Sequence, residues 1–257
     1  MSGWSALVLA GSRGGADPVA QAAGVSHKAF AEIAGRPMIA HVLSTLAAAP
    51  MVGRVAVSIE AGAPPLPGDA AALRLDAAAS PALSALDGFD RLGAPLLIVT
   101  ADHPLMTQAM LADFLADATA SGAAVAAAVA RRSVIERGGP GPRRTWLRFS
   151  DGAASGCNMF AVMRPEGRAA IAFWRRLEAQ RKNPLAMART LGPLTLARYA
   201  LGALSAAAAA RALGRAAGCA AALVALDHPD AAHDVDKASD LAFARRRLTQ
   251  GGGPAKP

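Results

Sequence analysis

The 257-residue chain is poor in aromatic side chains, which make up 4% of it. Stacking platforms for single-stranded nucleic acid are therefore scarce. Cysteine is rarer still. Cys157 and Cys219 are too few for a disulfide scaffold and lack metal-ligand spacing, so a reducing, cytoplasmic compartment is expected. Long hydrophobic runs are missing as well. The apolar stretch from Leu191 to Leu226 is interrupted by Arg198, Arg211 and Arg215, and no uncharged piece reaches the ~20 residues that span a bilayer. Trp4–Gly11 is a short apolar run leading into a Gly-rich turn, which does not fit a signal peptide. A soluble protein is expected. Negative charge is the scarcer sign: 27 Lys and Arg face 19 Asp and Glu, a net charge of +8. That excess suits anionic partners such as phosphorylated small molecules, nucleic acid or anionic lipid. A coding bias toward Arg and Ala explains it equally well. No recognition motif accompanies the arginines, so nucleic acid is not an expected partner.

What is present is apolar and alternating. Hydrophobic residues make up 53% of the chain, and its length fits one large α/β domain. Strands are expected at Trp4–Ala10, Arg54–Ile59, Leu73–Asp76, Pro95–Thr100 and Ala123–Ala130. Helices are expected from Pro37 to Ala49, from Ser80 to Leu92 and over Thr107–Ser121. This alternation predicts a mostly parallel sheet with helices on both faces. Ala16–Lys28 reads as loop, with Asp17-Pro18 starting a turn. The second half is less regular: short strands at Trp146–Phe149 and Met159–Met163, a helix over Pro165–Lys182, Ala-rich helices over Pro184–Gly214, a strand at Cys219–Leu226 and a closing helix at Ala238–Leu248. Residues 1–250 are read as one domain with a helical insertion at 183–218, and 251–257 as a disordered tail.

Several segments carry chemistry. Gly11-Ser12-Arg13-Gly14-Gly15 follows the first strand, where backbone N–H groups can cradle phosphate at the sheet's carboxyl edge. It is neither G-x-G-x-x-G nor a P-loop, and a plain turn explains it about as well. His27-Lys28 closes the following loop; a lysine there can fold back onto phosphates as a point charge, or simply be solvated. At Thr100-Ala101-Asp102-His103-Pro104 a central apolar strand ends in a carboxylate. An acid there suits Mg²⁺, which takes one or two carboxylates plus substrate phosphates; a turn aspartate is the bland alternative. Asp234 and Asp236 alternate around Val235 and share a face if extended, so one can be a second metal ligand, while Asp236 can equally cap the last helix. Asn158, in Gly156-Cys157-Asn158-Met159-Phe160, can meet a sugar or polyol hydroxyl. Cys157 has no partner base. The basic stretch Arg131, Arg132, Arg137, Arg143, Arg144, Arg148 reads as a site for an acidic second substrate or as a solvated loop; Arg144 and Asn158 are the acceptor-binding candidates.

In order, Leu9-Ala10-Gly11 with its Gly/Arg loop, Lys28, Gly35-Arg36-Pro37-Met38-Ile39, Thr100-Ala101-Asp102-His103-Pro104, Gly156-Cys157-Asn158-Met159-Phe160 and Asp234-Val235-Asp236-Lys237-Ala238-Ser239-Asp240-Leu241 resemble the MobA-like NTP transferases. These belong to the nucleotidyltransferase superfamily, whose fold is a GT-A-type, Rossmann-like α/β/α sandwich with a mixed, mostly parallel sheet. The resemblance covers about Trp4–Leu248. It implies Mg²⁺-dependent attack by a phosphorylated acceptor on the α-phosphorus of an NTP, with release of pyrophosphate. Carried over, Leu9, Ala10, Gly11, Ser12, Gly14 and Gly15 hold the nucleotide. Arg13 and Lys28 neutralise its phosphates. Asp102 binds Mg²⁺ with Asp236, or with Asp234 as the alternate. Ser80 and Ser84 stand where family members contact the base, a pattern nearer cytidylyltransferases than molybdenum-cofactor guanylyltransferases. CTP or GTP is the expected nucleotide and a sugar or polyol phosphate the expected acceptor. The alternatives are a molybdenum-cofactor guanylyl- or cytidylyltransferase and a non-catalytic nucleotide-binding module. The chain departs from the family loop in two ways: Ser12 replaces the second glycine, and an insertion around Asp17-Pro18 displaces Lys28. The Ala-rich stretch leaves room for a lipid-like acceptor, a dimer surface or a peripheral membrane contact, with a helical cover over the sheet as the plainer reading.

Overall fold

The computed structural model describes residues 3–12, 17–67, 72–180, 190 and 192–250. Arg13, Gly14 and Gly15, the start of the Ala-rich insertion (183–189 and 191) and the tail 251–257 lie outside the described residues.

The sheet is built from β1 (Trp4–Leu9), β4 (Val52–Ile59), β5 (Leu73–Asp76), β6 (Leu96–Thr100), β7 (Val125–Arg131), β9 (Gly152–Val162) and β10 (Ala221–Leu226), in the order β10-β7-β9-β6-β1-β4-β5, with β8 (Leu147–Phe149) paired to β9. β2 (Glu32–Ile33) and β3 (Arg36–Pro37) form a separate small hairpin. β5, β4, β1 and β6 are mutually parallel, as are β10 and β7. β9 runs against both β6 and β7. The sheet is therefore mixed and mostly parallel, as the alternation of segments predicts.

Alternate strand residues feed two apolar layers. On one face Leu7, Ala56 and Ile98 pack with Ala85, Leu86 and Phe89 of α3 (Pro81–Leu92) and Ile171 of α6 (Arg168–Gln180). On the other, Ala6, Val8, Val57 and Val99 meet Ile39, Val42 and Leu46 of α2 (Met38–Ala47) and Leu111 and Phe114 of α4 (Gln108–Ala120). Burial on both faces explains why β1 and β6 read as continuous apolar runs rather than alternating ones. The described part of the insertion forms two helices, α7 (Pro193–Ala200) and α8 (Ala206–Ala217). α8 packs on β10 and α6, whereas α7 buries none of its residues. Among the described residues no helix is long and apolar enough to cross a membrane.

Three local readings need correction. The segment read as loop from Ala16 to Lys28 contains helix α1 (Pro18–Ala23). Asp17 Oδ1 caps it, accepting from Val19 N (2.8 Å) and Ala20 N (3.0 Å), and Val19 is fully buried in a small core with Ile33, Met38, Val235 and Leu241. The basic stretch contains a second short helix, α5 (Arg132–Arg137). The strand read at Met159–Met163 is the end of β9, which begins at Gly152 and stops at Val162. Its continuity is hidden by a bulge. Ala127 pairs with Phe160 and Val129 with Gly156, so Cys157, Asn158 and Met159 stand opposite Ala128. Asn158 takes φ 51° there, a left-handed conformation that asparagine tolerates better than most residues.

Candidate active site

Parallel strands place their carboxyl ends along one edge, and the chemistry-bearing segments meet there. A cleft of about 560 Å³ is lined by Leu9 to Ser12 beyond β1, Thr100 to Asp102 at the end of β6, Asn158 and Phe160 of β9, Asp234 and Asp236 ahead of α9 (Ala238–Gln250), and Lys28. Its volume is that of an ordinary small-molecule site. Gly11 lets the first turn pass close to its neighbour: a Cβ there would stand 2.9 Å from that of Ala77.

Lys28 is the hub. The α1 insertion that separates it from the glycine turn folds back, and a single 3-10 turn, Lys28–Phe30, presents its amine to the cleft. Nζ donates to Asp102 Oδ2 at 2.7 Å and to Asp236 Oδ1 at 2.9 Å. Burial alone would lower the pKa of this amine, but Asp102 and Asp236 outweigh it and hold the amine charged, well above its ordinary value. The two acidic segments are also tied through the backbone, Val235 N donating to Asp102 O at 2.8 Å. Thr100 Oγ1 donates to the other oxygen of Asp102.

Asp234 takes a different place. Arg144 Nη1 and Asn158 Nδ2 both donate to it, the latter at 3.1 Å. Burial, then the neighbouring charges of Asp102 and Asp236, push its carboxyl up to about 6. Arg144 itself is turned inward. It also donates to Ala232 O at 2.9 Å and to Asp240 Oδ1 at 3.0 Å, and its side chain is 7% exposed. The structure therefore makes Arg144 a strut beneath the acidic loop rather than a surface charge. Asp240 Oδ2 accepts from the N–H groups of Asp236 and Lys237 at 3.0 and 2.9 Å. Asp240 thus caps the start of α9, and the Asp236 carboxylate turns to Lys28 instead.

Ser80, just ahead of α3, and Ser84, within its first turn, have structural partners. Ser80 Oγ accepts from Leu83 N as the helix N-cap, and Ser84 Oγ, buried, accepts from Ala78 N at 2.9 Å. Pro81 between them reaches the cleft. His27 Nε2 lies 3.7 Å from Glu60 Oε2. Cys157 is buried, and burial raises its thiol far above the usual range, so it is no nucleophile.

Sequence reading missed Glu60 and an aromatic wall of the cleft. Glu60 Oε1 accepts from both the backbone N–H and the hydroxyl of Ser12, so a carboxylate occupies donors that this turn would otherwise offer to a ligand. Glu60 directly follows β4, the neighbour of β1. The rule that singled out Asp102 at a strand end applies to it equally. The missed wall consists of Phe160, Trp174, Leu177 and Glu178.

A family model, the MobA-like NTP transferase domain, matches residues 6–216. The chain belongs to the MobA-like NTP transferase family. It is a nucleotidyltransferase by that membership. Among solved structures it is similar to a hypothetical transferase from Thermus thermophilus, at 30% identity and a TM-score of 0.80, over 93% of this chain and 99% of that one. It shares its fold with 2-C-methyl-D-erythritol 4-phosphate cytidylyltransferase from Thermus thermophilus, at 17% identity and a TM-score of 0.56 over 97% and 100% of the two chains. A CMP:2-keto-3-deoxy-manno-octonic acid synthetase complexed with CTP is similar at 14% identity and a TM-score of 0.55, over 96% and 99%. Comparison with curated protein sequences gave no match.

Proposed function

We propose that this nucleotidyltransferase moves a nucleoside monophosphate from CTP or GTP to a phosphorylated acceptor, releasing pyrophosphate, with Mg²⁺ at Asp102 and Asp236. The observation that carries the reading is the meeting of Lys28 with Asp102 and Asp236 at the carboxyl edge of the sheet, beside the turn after β1. CTP is the first nucleotide to test, because two structures of the same fold are by name a cytidylyltransferase and a synthetase holding CTP.

Among the described residues no three His, Cys, Asp or Glu side chains are arranged to hold a metal; the Lys28 amine lies between two of the carboxylates instead. The donor chemistry nevertheless fits magnesium, which needs only one or two protein carboxylates when substrate phosphates complete its shell. The raised carboxyl of Asp234 reflects burial first and then the charges of Asp102 and Asp236, so further positive charge at this edge would be favourable. Bound there with the nucleotide, magnesium would supply positive charge against the phosphates.

The chain's own groups supply the rest. The backbone N–H of Gly11, and that of Ser12 once Glu60 releases it, would meet the phosphates, with Arg13, Gly14 and Gly15 following in sequence. Lys28 leaves its carboxylates for the departing pyrophosphate and neutralises charge as it develops. Asn158 orients the acceptor. In-line displacement needs positioning and charge neutralisation more than a strong base.

A thermal-shift panel of CTP, GTP, UTP and ATP with Mg²⁺ tests this reading. Stabilisation by CTP or GTP that disappears with EDTA supports it. Binding of no NTP overturns it.

A further inference from the structure

Among the described residues, the lining of the cleft is more acidic than a site for two phosphorylated substrates needs. Its described lining holds Asp17, Asp102, Asp234, Asp236 and Glu178 against one cation, Lys28. Four of these acids are accounted for. Asp17 caps α1, Asp102 and Asp236 hold Lys28, and Asp234 rests on Arg144 and Asn158. Glu178 has no ion pair or hydrogen bond among the described residues.

Glu178 stands in a defined setting. Trp174, Leu177 and Glu178 occupy positions i, i+3 and i+4 of α6 and so share one helix face, and all three line the cleft. Phe160 of β9 stacks on Trp174, with ring centroids 5.7 Å apart and planes at 27°. This wall belongs to the β9 side of β6, whereas the glycine turn belongs to β1 on the other side. If the turn holds the nucleotide, the wall is left for the acceptor.

A carboxylate beside two aromatic rings and a leucine is poorly matched to a second anion. Apolar neighbours weaken solvent screening, so repulsion of phosphate is felt more strongly. A neutral polyol would meet only one acceptor group on this wall. A positively charged group satisfies all of it: the carboxylate by charge, and the indole and phenyl rings through their negative faces, with tryptophan the strongest partner.

We propose that the acceptor is a phosphate monoester of an amino alcohol, its ammonium or quaternary ammonium head held by Trp174, Phe160 and Glu178 and its phosphate directed at the nucleotide. The inference rests on the nucleotidyl-transfer reading and names the substrate class of that same cleft. In the reaction an acceptor phosphate oxygen forms a bond to the α-phosphorus of the NTP. The bond from that phosphorus to the α,β-bridging oxygen breaks, and pyrophosphate leaves with the electron pair. No oxidant or reductant is required.

The test is pyrophosphate release by the full chain with CTP or GTP and Mg²⁺, using phosphocholine and phosphoethanolamine against glycerol 3-phosphate and a hexose 1-phosphate. The ammonium compounds are expected to give kcat/KM at least about ten-fold higher, the scale of a desolvated cation–π contact with an added charge pair. Glu178→Gln and Trp174→Leu are expected to raise KM for the ammonium acceptor about ten-fold each while KM for the nucleotide stays as it was. Trp174→Phe, which keeps a ring on Phe160, should restore most of the loss and serves as the folding control. Preference for glycerol or hexose phosphate, or an unchanged acceptor KM in Glu178→Gln, overturns the proposal. No turnover of either ammonium compound by a protein that still binds NTP also overturns it and leaves the nucleotidyl-transfer reading standing. Failure to bind any NTP removes both.

Discussion

At the scale of single residues, charged groups of the cleft hold one another in place. Lys28 bridges Asp102 and Asp236, and Glu60 covers the Ser12 donors. Each contact resembles one the proposed substrate complex would contain: an amine beside carboxylates at the proposed metal position, and a carboxylate on an amide at the proposed phosphate position. Removing either has a directional consequence. Lys28→Met should lower kcat by about 10²–10³, the usual cost of losing one preorganised charge-stabilising group; a loss under three-fold in steady-state assays would place Lys28 outside the chemistry. Glu60→Gln keeps the shape but removes a negative charge next to the turn. It should tighten NTP binding several-fold by calorimetry, and weaker binding would show that Glu60 supports the turn rather than competing with phosphate. Asp102 was legible in the sequence because it ends an apolar strand; Asp236 was singled out over Asp234 only by its place in the family-like motif before the last helix. The inward role of Arg144 was not legible, since local sequence cannot show that Asp234, Asp240 and Ala232 O converge on one guanidinium.

At the scale of elements, the insertion after β1 lengthens the connection without carrying Lys28 away from the site. Asp17 starts α1 and Val19 anchors it against α9 residues such as Leu241. Asp17-Pro18 reads as the start of a turn, and a six-residue helix offers too few turns for hydrophobic periodicity to reveal it. The bulge in β9 was hidden for a related reason: it breaks the period of two where Asn158 is delivered to the cleft. Close packing of α8 gives a sharper test. A Cβ on Gly214 would stand 2.6 Å from the Cys219 carbonyl oxygen and 3.0 Å from Ala221 N. Replacing a mid-helix glycine with alanine normally gains up to about 1 kcal/mol. Here the obstacle is backbone, which cannot rotate aside, and overpacking of about 1–3 kcal/mol should win. Gly214→Ala should therefore lower Tm by several degrees; a raised Tm would mean that α8 sits loosely on β10.

At the scale of the molecule, acid sensitivity follows from two buried imidazoles. His103 and His233 are almost fully buried, and burial pushes both down to about 4 from 6.5. The unfolded chain takes up these protons near pH 6.5 and the fold does not. Stability should thus be full above about pH 6.5, fall as pH drops toward 4, and change little from these groups below that. Asp234 acts in the opposite sense, since its carboxyl, raised to about 6, binds a proton in the fold first. Two histidines outweigh one aspartate, so Tm should be lower at pH 5 than at pH 7.5; an equal or higher Tm would contradict the neutral burial of the imidazoles.

The mostly parallel sheet was also legible at this scale, from strand–helix alternation and the continuous apolar runs of β1 and β6. The strand order was not. β9 lies between β6 and β7 and runs against both, and a strand's direction leaves no mark on its own residues. That antiparallel strand brings Asn158 and Phe160 to the edge where Lys28, Asp102 and Asp236 meet, and the account stands on this convergence. Calorimetric titration of CTP and GTP with Mg²⁺ into the native protein and into Asp102→Asn tests it most directly. The account predicts metal-dependent nucleotide binding by the native protein that falls at least about ten-fold, ~1.4 kcal/mol, in the variant, whereas equal affinity in both proteins, with or without metal, would contradict it.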